Sequence, residues 1–145
     1  KDKGDLLMTA KEYWDKAEQL RKRIKRKKHE ICILRQRAEG LGDSGMNDMP
    51  KTASPEPNRM ESAVCEIITL EQEIKETQFE LDNLINEMYD NIKKIDDRDA
   101  RDILTKRYIE FKPWKAIAVE FGYSESHTKR LHSISLKKLI LHDTP

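Results

Sequence analysis

Four histidines and two cysteines are the residues best suited to metal or covalent chemistry in this chain. His127 and His132 stand five apart, and neither has a Cys or acid partner at metal-ligand spacing. His29 and His142 offer no closer set. Structural zinc needs several Cys, His or carboxylate ligands at short, paired spacings, so no metal site is expected. Cys32 and Cys65 also fall short of a disulfide framework. A Cys32–Cys65 disulfide is the alternative to the expected state, two buried, reduced thiols in a cytoplasmic protein. There is no Gly-rich phosphate loop and no G-x-S-x-G elbow. The many carboxylates fall on solvated helix faces, where paired acid–base chemistry has no pocket. The chain reads as a non-enzyme, with no catalytic residues and no cofactor.

The basic residues suggest a different chemistry. In "FKPWKAIAVEFGYSESHTKRLHSISLKKL", Phe111 to Leu139, a short apolar-periodic run meets a Gly-Tyr-Ser break and then a run rich in His, Lys and Arg. Proline suits the first turn of a helix, because the N–H it lacks has no intrahelical partner there. Pro113 therefore opens one helix, with Trp114, Ile117, Ala118 and Phe121 inward. Gly122 supplies a turn of positive φ, and Ser124 caps the next helix. That helix turns Leu131, Ile134 or Ser135, Leu136 and Leu139 inward. Two short helices around such a turn form a helix-turn-helix, whose second helix enters the major groove of duplex DNA.

On this reading the DNA-facing residues are Ser126, His127, Lys129 and Arg130, with Glu125 beside them. Lys129 or Arg130 can pair with guanine O6 and N7. Lys115, Lys137 and Lys138 better suit phosphate or solvent, and Ser124 and Ser133 complete the candidate set. A generic trihelical packing unit would share the same pattern.

Something must hold such a reader. The chain has 145 residues, 38% charged and 37% apolar, with only 5 Gly and 5 Pro. That composition suits long solvated helices. With a net charge of +1, nucleic-acid affinity must come from local charge. The start at Lys1 without Met suggests a trimmed chain. Neither a signal-like start nor a long apolar run occurs, so a soluble protein with no membrane partner is expected.

Thr9 and Glu12 form a capping box. After it, Tyr13, Ala17, Leu20, Ile24, Ile31, Leu34, Ala38 and Leu41 follow heptad steps, with a gap at Lys27. A helix is predicted over about 10–39. A Gly- and Pro-rich loop over about 40–58 follows. The heptad returns at Met60, Ile67, Ile74, Leu81, Met88 and Ile95, with Ala63, Leu70, Leu84 and Ile92 on the second seam and Thr77 a weaker member. This predicts a second helix, about 59–95 and roughly 55 Å long. Lys11–Ala38 holds eleven bases and four acids, a balance of +7, while Asn58–Ile95 holds nine acids and four bases, a balance of −5. Opposite charge favours pairing of the two helices.

The expected architecture is all-α. A long antiparallel coiled-coil hairpin spans 1–95 and a small helix-turn-helix domain spans 96–145. The latter opens with a helix capped by Asp96 or Asp97 that runs to about Glu110. The run "RKRIKRKK", Arg21–Lys28, has two readings. It is a nucleic-acid patch, or a helix face neutralised by Glu71, Glu73 and Glu76 if the hairpin folds near residue 49. The second reading still leaves surplus charge for an auxiliary phosphate contact.

The C-terminal stretch "DILTKRYIEFKPWKAIAVEFGYSESHTKRLHSISLKKL" resembles the sigma-factor region 4 type of helix-turn-helix. The matching features are Arg107–Tyr108, "WKAIAVEFGYS" and "LHSISLKKL". More closely, the whole chain resembles phage late-gene transcription regulators of the ArpU/RinA type, through "LLMTAKEYW", "MPKTASPEPNRM" and "RYIEFKPWKAIAVEFGYS". The resemblance implies a regulator that acts with host RNA polymerase at phage promoters, and it places DNA-facing roles on Ser126, His127, Lys129 and Arg130. Two positions depart from the pattern. Thr128 replaces an inward apolar residue, so this helix start is expected to pack loosely. Glu125 stands where a base is common. Nothing resembles the promoter-melting part of a full sigma factor.

The expected partners are double-stranded DNA, host RNA polymerase and further copies of the chain in a homo-oligomer. Two alternatives remain: a DNA-packaging recognition subunit like a small terminase, and a protein-only adaptor of polymerase.

Overall fold

A computed structural model describes residues 9–40 and 58–142. Among these residues the protein is all-α. The helices are α1 (Ala10–Ala38), α2 (Asn58–Lys93), α3 (Arg98–Leu104, continued by a π-helical turn over Thr105–Ile109), α4 (Trp114–Phe121) and α5 (Glu125–His142). The loop expected over about 40–58 lies, beyond Gly40, outside the described residues. No helix among them is long and apolar enough to cross a membrane. The chain forms two compact units, one of Lys1–Glu18 with Asp82–Pro145 and the other of Gln19–Leu81. Both long helices contribute to each unit.

In the Gln19–Leu81 unit, α1 buries Leu20, Ile24 and Ile31, and α2 buries Ala63, Thr77 and Leu81. Burying each aliphatic side chain contributes about 1.5–3 kcal/mol. Pairing is antiparallel: Lys27 Nζ lies 2.9 Å from Glu73, and Arg35, further along α1, meets Glu71, earlier on α2, at 3.4 Å. The gap at Lys27 is thus filled by an ion pair at a seam position. Thr77 is buried because its hydroxyl donates to the Glu73 carbonyl at 2.8 Å.

Three expectations fail in this unit. Met60, expected on the seam, is 54% exposed. Leu34 and Ala38 of α1 and Ile67, Leu70 and Ile74 of α2 are only half-buried, although Ala63 is buried, so the seam is loose along this stretch. Cys32 and Cys65 are free and exposed, not buried. The antiparallel geometry brings the two helices together on their i, i+3/i+4 faces, and both cysteines lie off those faces.

In the other unit α1 starts with the reciprocal cap expected of Thr9 and Glu12. Thr9 N–H donates to the Glu12 carboxylate and Glu12 N–H to Thr9 Oγ1, each at 3.1 Å. Tyr13 and Ala17 are buried, as are Leu84, Met88, Ile92 and Ile95 of α2. The chain turns after α2, where the Arg101 guanidinium donates to the carbonyls of Ile95 (2.6 Å) and Asp96 (3.0 Å). Asp97 is the N-cap of α3 and accepts from Asp99 N–H at 3.0 Å. Ala100, Ile103, Leu104, Tyr108, Ile117, Ala118 and Leu139 complete the core.

Candidate nucleic-acid interface

Helices α4 and α5 meet at the short turn Gly122–Ser124. Pro113 is the N-cap of α4, with φ −72° and ψ 157°, rather than its first helical residue. Gly122 adopts φ 73° and ψ 31°, a left-handed conformation that costs a residue with a Cβ free energy. Gly122 N–H donates to Val119 O (3.2 Å) and Tyr123 N–H to Ala118 O (3.0 Å), the paired bonds of a Schellman ending. Ser124 then caps α5, its Oγ accepting from His127 N–H at 3.1 Å.

Thr128 is fully buried, and its hydroxyl donates to Ser124 O at 2.8 Å. The expected loose start of α5 is therefore overturned: the Thr128 side chain is buried, and back-bonding to the turn satisfies its hydroxyl. Ser135 uses the same device, donating to Leu131 O at 2.8 Å, and is the inward residue, while Ile134 is exposed.

At 100° per residue, Ser126, Lys129, Arg130, Ser133 and Lys137 fall within an arc of about 100° on α5. All five are exposed. Lys129, Arg130 and Lys137 meet no carboxylate among the described residues. Lys138, on another face, lies 2.7 Å from Asp97 and so anchors α5 to the N-cap of α3. That bond holds the Asp97 carboxyl below its usual range. Lys115 is exposed in the first turn of α4. His127 flanks the stripe, half-buried, with its ring edge-on to Tyr123 at 4.5 Å. Ser124 is exposed but already occupied as a cap.

Behind the stripe lies a cluster that sequence reasoning missed. The Arg107 guanidinium is sandwiched between Trp14 at 4.1 Å and Trp114 at 4.2 Å, and donates to Lys112 O at 2.9 Å. Burial pushes its pKa down. Phe111, at φ 56°, packs its ring 5.5 Å from Trp14. Tyr108 and His132 share a hydrogen bond of 2.7 Å, and Trp114 meets His132 edge-on at 4.6 Å. Tyr13 Oη donates to Tyr108 O at 2.6 Å. Burial raises the Tyr108 hydroxyl to about 12 and lowers His132 to about 4, so the imidazole is neutral near pH 7. Arg107 and Tyr108 both lie in the π-helical turn Thr105–Ile109. The available signal was the density of aromatics around Arg107–Tyr108. Nearby, Glu120 of α4 is held by Lys106 at 2.7 Å and by Lys112, which also reaches Glu110 at 3.2 Å.

A cleft of about 180 Å³ runs along the other side of α5, lined by Ile103, Phe121, Tyr123, Leu131, Ile134 and others. Among the described residues no group of three His, Cys, Asp or Glu side chains could hold a metal ion. Compared with family models, curated proteins and solved structures, the chain matches none.

Proposed function

We propose that this protein is a sequence-specific, double-stranded-DNA-binding transcription regulator of the phage late-gene type, and that α5 is its recognition helix. The observation that carries the reading is the stripe of Ser126, Lys129, Arg130, Ser133 and Lys137. These polar and basic side chains share one exposed face, and its three cations engage no carboxylate among the described residues. Within the same unit Lys106, Lys112 and Lys138 are all paired. Cations left unpaired on a rigidly capped helix are suited to phosphate and guanine. Lys115 and Lys137 supply phosphate contacts, while Ser126, Lys129 and Arg130 reach base edges. His127 supports the start of the helix through Tyr123. The motifs quoted for the resemblance add the phage setting and the partnership with host RNA polymerase. A homo-oligomer would set two such helices on half-sites about one helical turn apart.

The test is selection of duplexes from a random pool by the full chain, followed by salt-dependent binding. K129A/R130A is expected to abolish preference for the selected sequence while helicity and melting temperature hold. An unchanged footprint in that variant overturns the assignment. A ring of about eight or more chains would instead indicate the packaging role.

A protein-only adaptor is the second reading. It is favoured by Tyr123 and Ile134, 44% and 46% exposed beside the cleft, with Ile134 one helical turn from Arg130 at the edge of the stripe. An absence of any gel shift at low salt would select it.

A further inference from the structure

We propose that the outward face of α1 between Lys22 and Lys28 is a second, sequence-independent contact for the phosphate backbone of duplex DNA. It deepens the DNA-binding reading and rests on it for the occupant. The run from Arg21 to Lys28 could have been neutralised by α2. Neutralisation is partial. Arg21, at the start of the run, has a partner, and Glu73 engages Lys27. Glu71 pairs with Arg35, outside the run, and Glu76 accepts a hydrogen bond from Gln72. Lys22, Arg23, Lys25, Arg26 and Lys28 are exposed and meet no carboxylate among the described residues.

The helical wheel gathers this charge. Lys25, Lys22 and Arg26 fall within an arc of about 100°, opposite the face that buries Leu20, Ile24 and Ile31. Seven residues of helix span about 10 Å, and over such a length duplex DNA presents several phosphates.

Composition chooses the occupant. Protein interfaces are built on a buried apolar or aromatic core, and the outward positions between residues 21 and 29 hold only Lys, Arg and His. A membrane-surface helix inserts an apolar face. Here the apolar face of α1 is already buried within its own unit. What remains is a purely electrostatic surface, and a phosphate backbone asks for nothing more. Such a contact adds affinity and salt dependence to every sequence and leaves discrimination to α5.

The experiment measures binding of the full chain to an arbitrary duplex and to a selected duplex across about 50–200 mM salt. The variant is K22Q/K25Q/R26Q, with K22R/K25R/R26K as the charge-conserving control. Neutralisation is expected to weaken both duplexes by the same factor, roughly tenfold or more. It should also reduce the slope of log K against log salt by about 2 to 3, at about 0.9 per lost phosphate contact. The control should keep the parent slope, and circular dichroism should show the parent helicity in both. An unchanged slope in the neutralised variant overturns the proposal. So does tighter, Lys22-dependent binding to phosphatidylserine vesicles than to duplex. A chain with no sequence preference whose slope still drops on neutralisation would end the reading of α5 and leave this surface standing.

Discussion

Both compact units hold paired and solvent-facing cations, but the pairs do different work. In the unit of α3, α4 and α5, charged side chains act as staples: Lys138 holds Asp97, Lys106 and Lys112 converge on Glu120, and Arg101 ties off the preceding turn. In the Gln19–Leu81 unit the ion pairs Lys27–Glu73 and Arg35–Glu71 accompany an apolar seam, and Lys22, Arg23, Lys25, Arg26 and Lys28 of α1 are exposed. The physical reason is helix length. A helix of seven or eight residues buries too little apolar surface to be held by packing alone and is marginal in isolation. It gains from every satisfied terminus and tethering pair. A helix of 29 residues has apolar repeats enough to define its partner, so its outward charges are free for other work.

The largest expected effect tests the packed side of that contrast. Ile117 of α4 is fully buried, and Ile117→Ala should destabilise by about 2–5 kcal/mol in chemical denaturation. A loss below about 1 kcal/mol would mean that the staples, not the core, hold these helices. Arg107→Ala comes next, at about 2–3 kcal/mol, because it removes two ring contacts and a hydrogen bond from a partly desolvated site. Arg107→Lys should recover less than half, since an ammonium cannot lie flat between two indoles.

Acid should act on the same unit. His132 titrates near 4 when folded and near 6.5 when unfolded, so the unfolded chain binds the extra proton between those values. Stability is therefore full above pH 6.5 and falls as pH drops toward 4. The loss is on the order of 1–2 kcal/mol, allowing for partial exposure. Asp97 adds a further loss below its unfolded value near 3.9, because Lys138 depresses its folded one. His132→Gln should flatten the melting temperature between pH 6.5 and 4; an unchanged slope would place the acid sensitivity elsewhere.

Smaller effects probe the long helices. Lys27 holds a seam position through an ion pair only partly exposed, so Lys27→Leu should stabilise by about 1 kcal/mol as apolar packing replaces a desolvated charge. A destabilised variant would give the pair a role in register. Met60→Ala should change stability by less than about 0.5 kcal/mol, since its side chain is mostly exposed. A larger loss would reveal a partner on the start of α2.

The local devices were legible in the residues. The Thr9–Glu12 box, the Asp97 cap, the Gly122 turn and the Ser124 cap depend on hydrogen bonds within a few residues, and each forms as its spacing predicts. Helix boundaries and antiparallel pairing followed from periodicity and charge. The face of α5 that carries Lys129 and Arg130 was also visible, since 3.6 residues per turn sorts its side chains. Met60 was misplaced because a heptad pattern names candidate faces but not where a seam ends, and the two cysteines because burial was expected from residue type alone.

By itself, then, the sequence determined the helices, their caps and the stripe along α5, all of which arise from interactions between near neighbours in the chain. Tertiary structure alone decided that Arg107 lies between Trp14 and Trp114, that His132 is neutral, that Thr128 is an inward residue in its own right, and which bases of α1 remain unpaired. The setting of Arg107 and of the α1 bases turns on groups far apart in sequence, and Thr128 adds a local back-bond to Ser124. Burial, pairing and pKa are properties of a neighbourhood, and only folding assembles one.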